Sequence, residues 1–250
     1  MKKIFSFDAE TDGLWGNPFA VAAIVYEYTP DAFGSVFVAH HSDRMPGSYK
    51  YLRPATEAEF SQRGNAEWCE RSIYENFQIQ DSRESWKETA RFIGRLSDDV
   101  VSDNWVRENV LPTLADVPVT HQHHIGGGDH KMGTAAGEKY CNQKAYEAML
   151  QDFANFYNAH KTGADIICHM GYIVEAHLLR EMRRLGFIGD WNAPYPLLDV
   201  SGNLQAAGED PTSVDGYAKK HGLHVADYGT THNPLYDCEV AAKAYIHLNQ

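Results

Sequence analysis

A chain of 250 residues, 43% hydrophobic and 22% charged, is long enough to bury a substantial core and too apolar to be disordered or fibrous. The net charge of −12, with 22 basic against 34 acidic residues, argues against a protein that coats nucleic acid nonspecifically through counterion release. It leaves open a small site that grips one strand end through metal ions. Cys69, Cys141, Cys168 and Cys238 are widely spaced, so neither a zinc knuckle nor a dense disulfide framework is indicated. No apolar run approaches the ~18 residues of a membrane span, and Met1-Lys2-Lys3 leads into a strand instead of a signal peptide. The expectation is a cytoplasmic protein with no membrane partner; a homo-oligomer is compatible with the sequence.

The first element is a strand, with Ile4, Phe5 and Phe7 favouring it and no Gly or Pro before Gly13. Side chains alternate along a strand, so Asp8 and Glu10 share a face, roughly 7 Å apart. Two acids on one face of an apolar segment repel each other and are costly to bury unless a cation neutralises them. Mg²⁺ or Mn²⁺ is the natural candidate, because carboxylate oxygens are the preferred ligands of hard cations. A solvated strand end is the plain alternative.

Thr11-Asp12-Gly13 is a turn signal, Phe19 to Tyr28 reads as a long apolar strand and Val36 to His40 as another, with Thr29-Pro30-Asp31 turning between them. Three leading strands at this spacing predict an antiparallel edge on a mixed sheet. Asp43 to Gln80 is read as short helical turns and loops. Trp86, Ala90, Ile93 and Leu96 predict a helix over Ser82 to Leu96. A shorter helix is expected over Asn104 to Val110, stopped at Pro112.

Thr120 to Gly137 carries His121, His123, His124 and His130 around Gly126-Gly127-Gly128. Four histidines could bind zinc, but a loop this rich in glycine holds no ligand geometry unaided. It reads as a mobile loop contacting a partner or substrate.

Glu138 to His160 follows as a long helix, with Ala145, Met149, Phe153 and Phe156 on one side and Gly163 as its stop. Ala164 to Cys168 is a short buried strand. In the next helix Tyr172, Glu175, Leu179 and Met182 share a stripe, which places Glu175 toward the core or at the stripe's edge. Leu197 to Val200 is a last short strand and Ser213 to Gly222 a short helix. Asn233 and Pro234 stand where a cap and a first helical residue are preferred, and Asp237 falls in the first turn, five residues after His232.

Four acids and one histidine on separate core-facing elements form a pattern that resembles the DEDDh branch of the DnaQ-like 3′–5′ exonucleases. Phe7-Asp8-Ala9-Glu10-Thr11-Asp12-Gly13-Leu14 is similar to the family's first motif nearly residue for residue. Cys168 to Glu175, continuing to Leu178-Leu179, is similar to the second, and His232-Asn233-Pro234-Leu235-Tyr236-Asp237 to the third. Two positions depart: Glu175 stands where Asp is usual, and Met170 where Asn is common. A weaker similarity, through Trp105-Val106-Arg107 and Val110-Leu111-Pro112, is to a bacterial and phage subgroup containing both DNA and RNA exonucleases.

The resemblance implies an α/β fold of the ribonuclease-H-like type, a mixed central sheet with helices on both faces, spanning 1–250 as one domain with an insertion around 43–137. It implies a two-metal hydrolysis with Mg²⁺ or Mn²⁺, releasing nucleoside 5′-monophosphates from a single-stranded 3′ end, DNA slightly favoured over RNA. Asp8 would bridge both ions, Glu10 and Asp237 would hold the one that activates water, and Glu175 would support the other through water. His232 would take the proton from that water. The alternatives are an exoribonuclease, a hydrolase of oligonucleotides or dinucleotides, and a binding module that has lost catalysis.

Overall fold

The computed structural model describes residues 2–28, 37–41, 49–54, 86–122, 135–225 and 230–249. The chain divides into two compact units, Met1–Glu27 with Glu88–Gln250, and Tyr28–Lys87. None of the described helices is long and apolar enough to cross a membrane.

The larger unit is α/β. Strand β1 (Lys3–Thr11) lies at the centre of a five-stranded mixed sheet. It runs antiparallel to β2 (Pro18–Tyr28), with Lys3 opposite Glu27 and an irregularity at Glu10/Thr11. On its other side it runs parallel to β6 (Asp165–Cys168), which is parallel to the short β7 (Leu198–Asp199). The remaining edge is β5 (Trp86–Arg95), beside β2. In the smaller unit, β3 (Phe37–His41) and β4 (Tyr49–Pro54) form a separate antiparallel hairpin.

The α-helices among the described residues are α1 (Asn104–Asn109), α2 (Ala135–His160), α3 (Val174–Arg184), α4 (Val200–Ala206), α5 (Val214–Lys220) and α6 (Pro234–Leu248). Two of them explain why β1 and β2 are buried on both sides. Phe5 and Phe7 point to one face, where Phe5 packs on Phe153, Phe156 and Tyr157 of α2 with ring centroids 5.6–6.5 Å apart. Ile4, Ser6, Asp8 and Glu10 point to the other, which α6 covers: the Ser6 hydroxyl donates to the Cys238 carbonyl at 2.8 Å, and the Cys238 thiol to that of Ala22 at 3.3 Å. With helices on both faces, Ala20 to Val25 become a continuous apolar run with no exposed side chain. The acids of β1 therefore emerge on the α6 side of the sheet.

Several expectations are corrected. Residues 86–95 form a strand, not a helix: Trp86, Glu88, Ala90 and Phe92 alternate inward, Phe92 stacking on Phe153 and Phe156 at 5.6 and 5.7 Å, while Lys87, Thr89 and Arg91 point outward. That period of two, with aromatic and β-branched residues, outweighs the helical spacing of Trp86, Ala90 and Ile93. The third strand of the antiparallel edge is therefore β5, and the strand near Val36 to His40 belongs to the β3–β4 hairpin. Part of the segment from Asp43 to Gln80 is the strand β4. Tyr172 precedes α3 and is 82% exposed, so the buried stripe of that helix is Glu175, Leu178 and Met182. The helix expected over Asn104 to Val110 is present as α1, Asn104–Asn109, and beyond it Pro112 lies in a 3₁₀ turn, Leu111–Leu114. The turn at Thr29-Pro30-Asp31 and residues 123–134 of the histidine-rich segment lie outside the described residues.

Candidate functional site

Three elements bring the predicted acids together. Asp8 and Glu10 leave β1 on one face, as the alternation requires. Asp237 enters from the first turn of α6, which Asn233 caps by accepting the Leu235 N–H at 3.1 Å and Pro234 opens. Ligand oxygens of Asp8, Glu10 and Asp237 lie within 4.8 Å of one another, an arrangement able to hold a metal ion. Glu175, in the first turn of α3, is 3% exposed and lines the same cavity as these three acids.

The turn before α3 is built to present Glu175. Asp199 caps α4 at Ser201 and also accepts the backbone N–H groups of Met170 and Gly171, both at 3.1 Å. A Cβ on Gly171 would sit 2.2 Å from the Cys168 sulfur and 3.4 Å from the Glu175 Cβ, so only glycine allows this close approach.

Packing four carboxyl groups together shows in their protonation. Burial, then the charges of Glu175, Asp237 and Glu10, raise the Asp8 carboxyl well above the ordinary range. Glu10 is likewise raised, first by burial and then by Asp237 and Glu175. Burial lifts Glu175 and Asp237 to about 7 each, even though backbone N–H groups oppose the rise. The Asp8 Oδ2 is buried with no hydrogen-bond partner. An orphaned buried oxygen among acids that resist ionisation fits a hard divalent cation, which would supply both the missing partner and the missing charge.

His232 stands beside this cluster. Its backbone N–H donates to Asp237 Oδ2 at 2.9 Å, and its φ of 70° is left-handed. His232 and Met170 are the two described non-glycine residues with positive φ, and both line the same cavity. The His232 carbonyl lies 2.8 Å from the Thr113 hydroxyl, and the imidazole meets the Trp105 ring edge-to-face at 5.6 Å.

The wall carrying Trp105 and Thr113 is tied to the end of β1 by Asp12. Its carboxylate accepts the Ser102 and Asp103 N–H groups at 2.8 and 2.7 Å and the Ser102 hydroxyl at 2.7 Å. Burial alone would raise Asp12, but these hydrogen bonds and Arg107 hold it below the usual range. Asp103 in turn caps α1 at Val106. Asp12 and Thr113 were not predicted as site residues. The Thr11-Asp12-Gly13 turn and the helix from Asn104 can be read in the sequence, but not that they join.

The resulting cavity, of about 730 Å³, is lined by all five predicted site residues, Asp8, Glu10, Glu175, His232 and Asp237. The described histidine of the His-rich segment, His121, lies apart from it, between Thr120 and Asp152 at 2.8 and 3.1 Å. Comparison with protein-family models, curated proteins and solved structures found no match.

Proposed function

We propose that the chain is a divalent-metal-dependent 3′–5′ exonuclease of ribonuclease-H-like fold, built like the DEDDh branch of the DnaQ-like enzymes. The observation that carries the reading is the convergence of Asp8, Glu10, Glu175 and Asp237 from three elements onto one cavity, with a buried Asp8 oxygen lacking a partner. The mixed sheet, with β1 antiparallel to β2, parallel to β6 and covered by helices on both faces, agrees with the fold this reading needs.

Asp8, Glu10 and Asp237 would hold the metal, Mg²⁺ or Mn²⁺, with Glu175 supporting a second ion. When bound, the ions neutralise charge on the scissile phosphate and make a water molecule acidic enough to act as nucleophile. His232, fixed through its backbone by Asp237 and Thr113, would accept that water's proton. The new oxygen joins phosphorus, the bond to the 3′ oxygen of the penultimate nucleotide breaks, and the last nucleotide leaves as its 5′-monophosphate. Single-stranded DNA is the first substrate to try and RNA the second. Oligonucleotides labelled at either end, incubated with and without Mg²⁺ or Mn²⁺, test the reading. A 5′-labelled strand that shortens stepwise only when metal is present supports it; cleavage indifferent to chelator, or starting at 5′ ends, overturns it.

A further inference from the structure

Resting on the nuclease reading, we infer that the site engages only the last one or two nucleotides of a strand, so that short oligonucleotides are bound as well as long ones.

The inference starts from what lines the cavity. Six carboxyl groups do so, those of Asp8, Glu10, Asp103, Glu175, Asp215 and Asp237, together with His169 and His232. No lysine or arginine among the described residues lines it. Arg107 of α1 is turned away, its guanidinium donating to the Val101 carbonyl at 3.0 Å. A strand threaded along such a wall would meet charge of its own sign at every phosphate not beside a cation. The formal charge of −12 offers no compensating long-range attraction. Proteins that follow a strand do so with a positively charged groove, and the described walls lack one.

What the rim offers instead is apolar surface. Leu14, Trp105 and Met170 line the cavity and are 60%, 56% and 55% exposed, large values for side chains of this kind. Ile173, Val174 and Val214 continue that surface inward. An aromatic face beside metal-binding acids suits a base attached to a metal-held phosphate, because every base has a face that can stack. A volume of about 730 Å³ is that of a site for a small ligand, enough for one or two nucleotides and not for a strand.

The test is a binding series using full-length protein carrying His232→Ala to prevent turnover, with 5′-fluorescein oligonucleotides of two, four, eight and sixteen residues in Mn²⁺. Fluorescence anisotropy is read at 50 and at 200 mM salt. The expected affinity rises less than about threefold from four to sixteen nucleotides, with a log–log salt slope shallower than about −2, since each neutralised phosphate of a single strand contributes about −0.7. Trp105→Ala in the same background should weaken binding at least about fivefold at every length and leave the slope unchanged. Affinity that climbs more than tenfold with length, a slope of about −2 or steeper, or no binding at any length would overturn the inference. Cleavage of the same strands by the unmutated protein is scored separately: its absence would remove the nuclease reading, while the binding series would still decide the length claim.

Discussion

The carboxyl groups of Asp8 and Glu175 are buried in one cluster, where the charge of Glu175 helps raise the Asp8 carboxyl well above the ordinary range, after burial itself. Buried like charges resist ionising together, so without a cation the cluster holds on to a proton that free carboxyl groups would lose. A bound cation would take the place of that proton, and most of what the site should do in solution follows from that exchange.

The first expectation concerns stability without metal. A carboxyl group raised in the folded state favours folding while protonated. Its contribution is complete below the ordinary range near 4 and is lost as pH rises through the folded value, about 7 for Glu175 and for Asp237. Asp12 and Asp199 are lowered instead, so their contributions are lost only on acidification below that window. The melting temperature of metal-free protein should therefore fall between pH 5 and pH 8. Glu175→Gln should flatten the fall and raise stability at pH 8 by about 2 kcal/mol, roughly 4–8 °C for a chain this size. Calorimetry at the two pH values checks this, and an equally steep fall in the variant would mean that Glu175 is not the group losing its proton.

Catalysis should respond in the opposite direction. Glu175→Gln keeps the size and removes the charge needed for the second ion, so turnover should drop at least about a hundredfold. Glu175→Asp keeps the charge on a shorter arm and should retain measurable turnover. Melting with added Mn²⁺ gives an independent readout, because an ion held only by the folded state raises the melting temperature. Unmutated turnover together with an unchanged Mn²⁺ shift in Glu175→Gln would place the fourth ligand elsewhere.

Gly171 supplies a packing test. An added methyl group would collide with the buried Cys168 sulfur, so Gly171→Ala should destabilise the protein by about 1–3 kcal/mol and displace Glu175. Adding Cys168→Ala opens the space, and the double variant should regain most of the loss in both chemical denaturation and Mn²⁺ binding. Independent, additive effects would show that the two residues do not share the space.

The elements that place the acids could be read from local pattern. Asp8 and Glu10 follow from the alternation of β1, the position of Asp237 from the Asn233-Pro234 start of α6, and the burial of Glu175 from the stripe of α3. What could not be read depends on contacts distant in sequence. Thr113 reaches His232 across 119 residues and Asp12 reaches Ser102 across 90, and no periodicity encodes such a pairing. Strand β5 was misread because Trp86, Ala90 and Ile93 fit a helical stripe, and only packing on α2 selects the alternation instead.

Asp12 therefore deserves its own variants. Asp12→Ala removes three accepted hydrogen bonds and should cost about 2–4 kcal/mol, loosening the segment that carries Trp105. Asp12→Asn keeps an oxygen for the two backbone donors and should cost less than half as much. Hydrogen exchange at the Val106 and Arg107 amides should accelerate in the alanine variant before global unfolding; amides as protected as in the unmutated protein would contradict the tether.

Mass spectrometry of the products formed in ¹⁸O-labelled water, with Mn²⁺ and with chelator, tests the central claim most directly. The account predicts nucleoside 5′-monophosphates from the 3′ end, each carrying one ¹⁸O on phosphorus, formed with Mn²⁺ and abolished by chelator. Nucleoside 3′-monophosphates, unlabelled phosphate, or no product from DNA or RNA of any length in the presence of Mn²⁺ would contradict it.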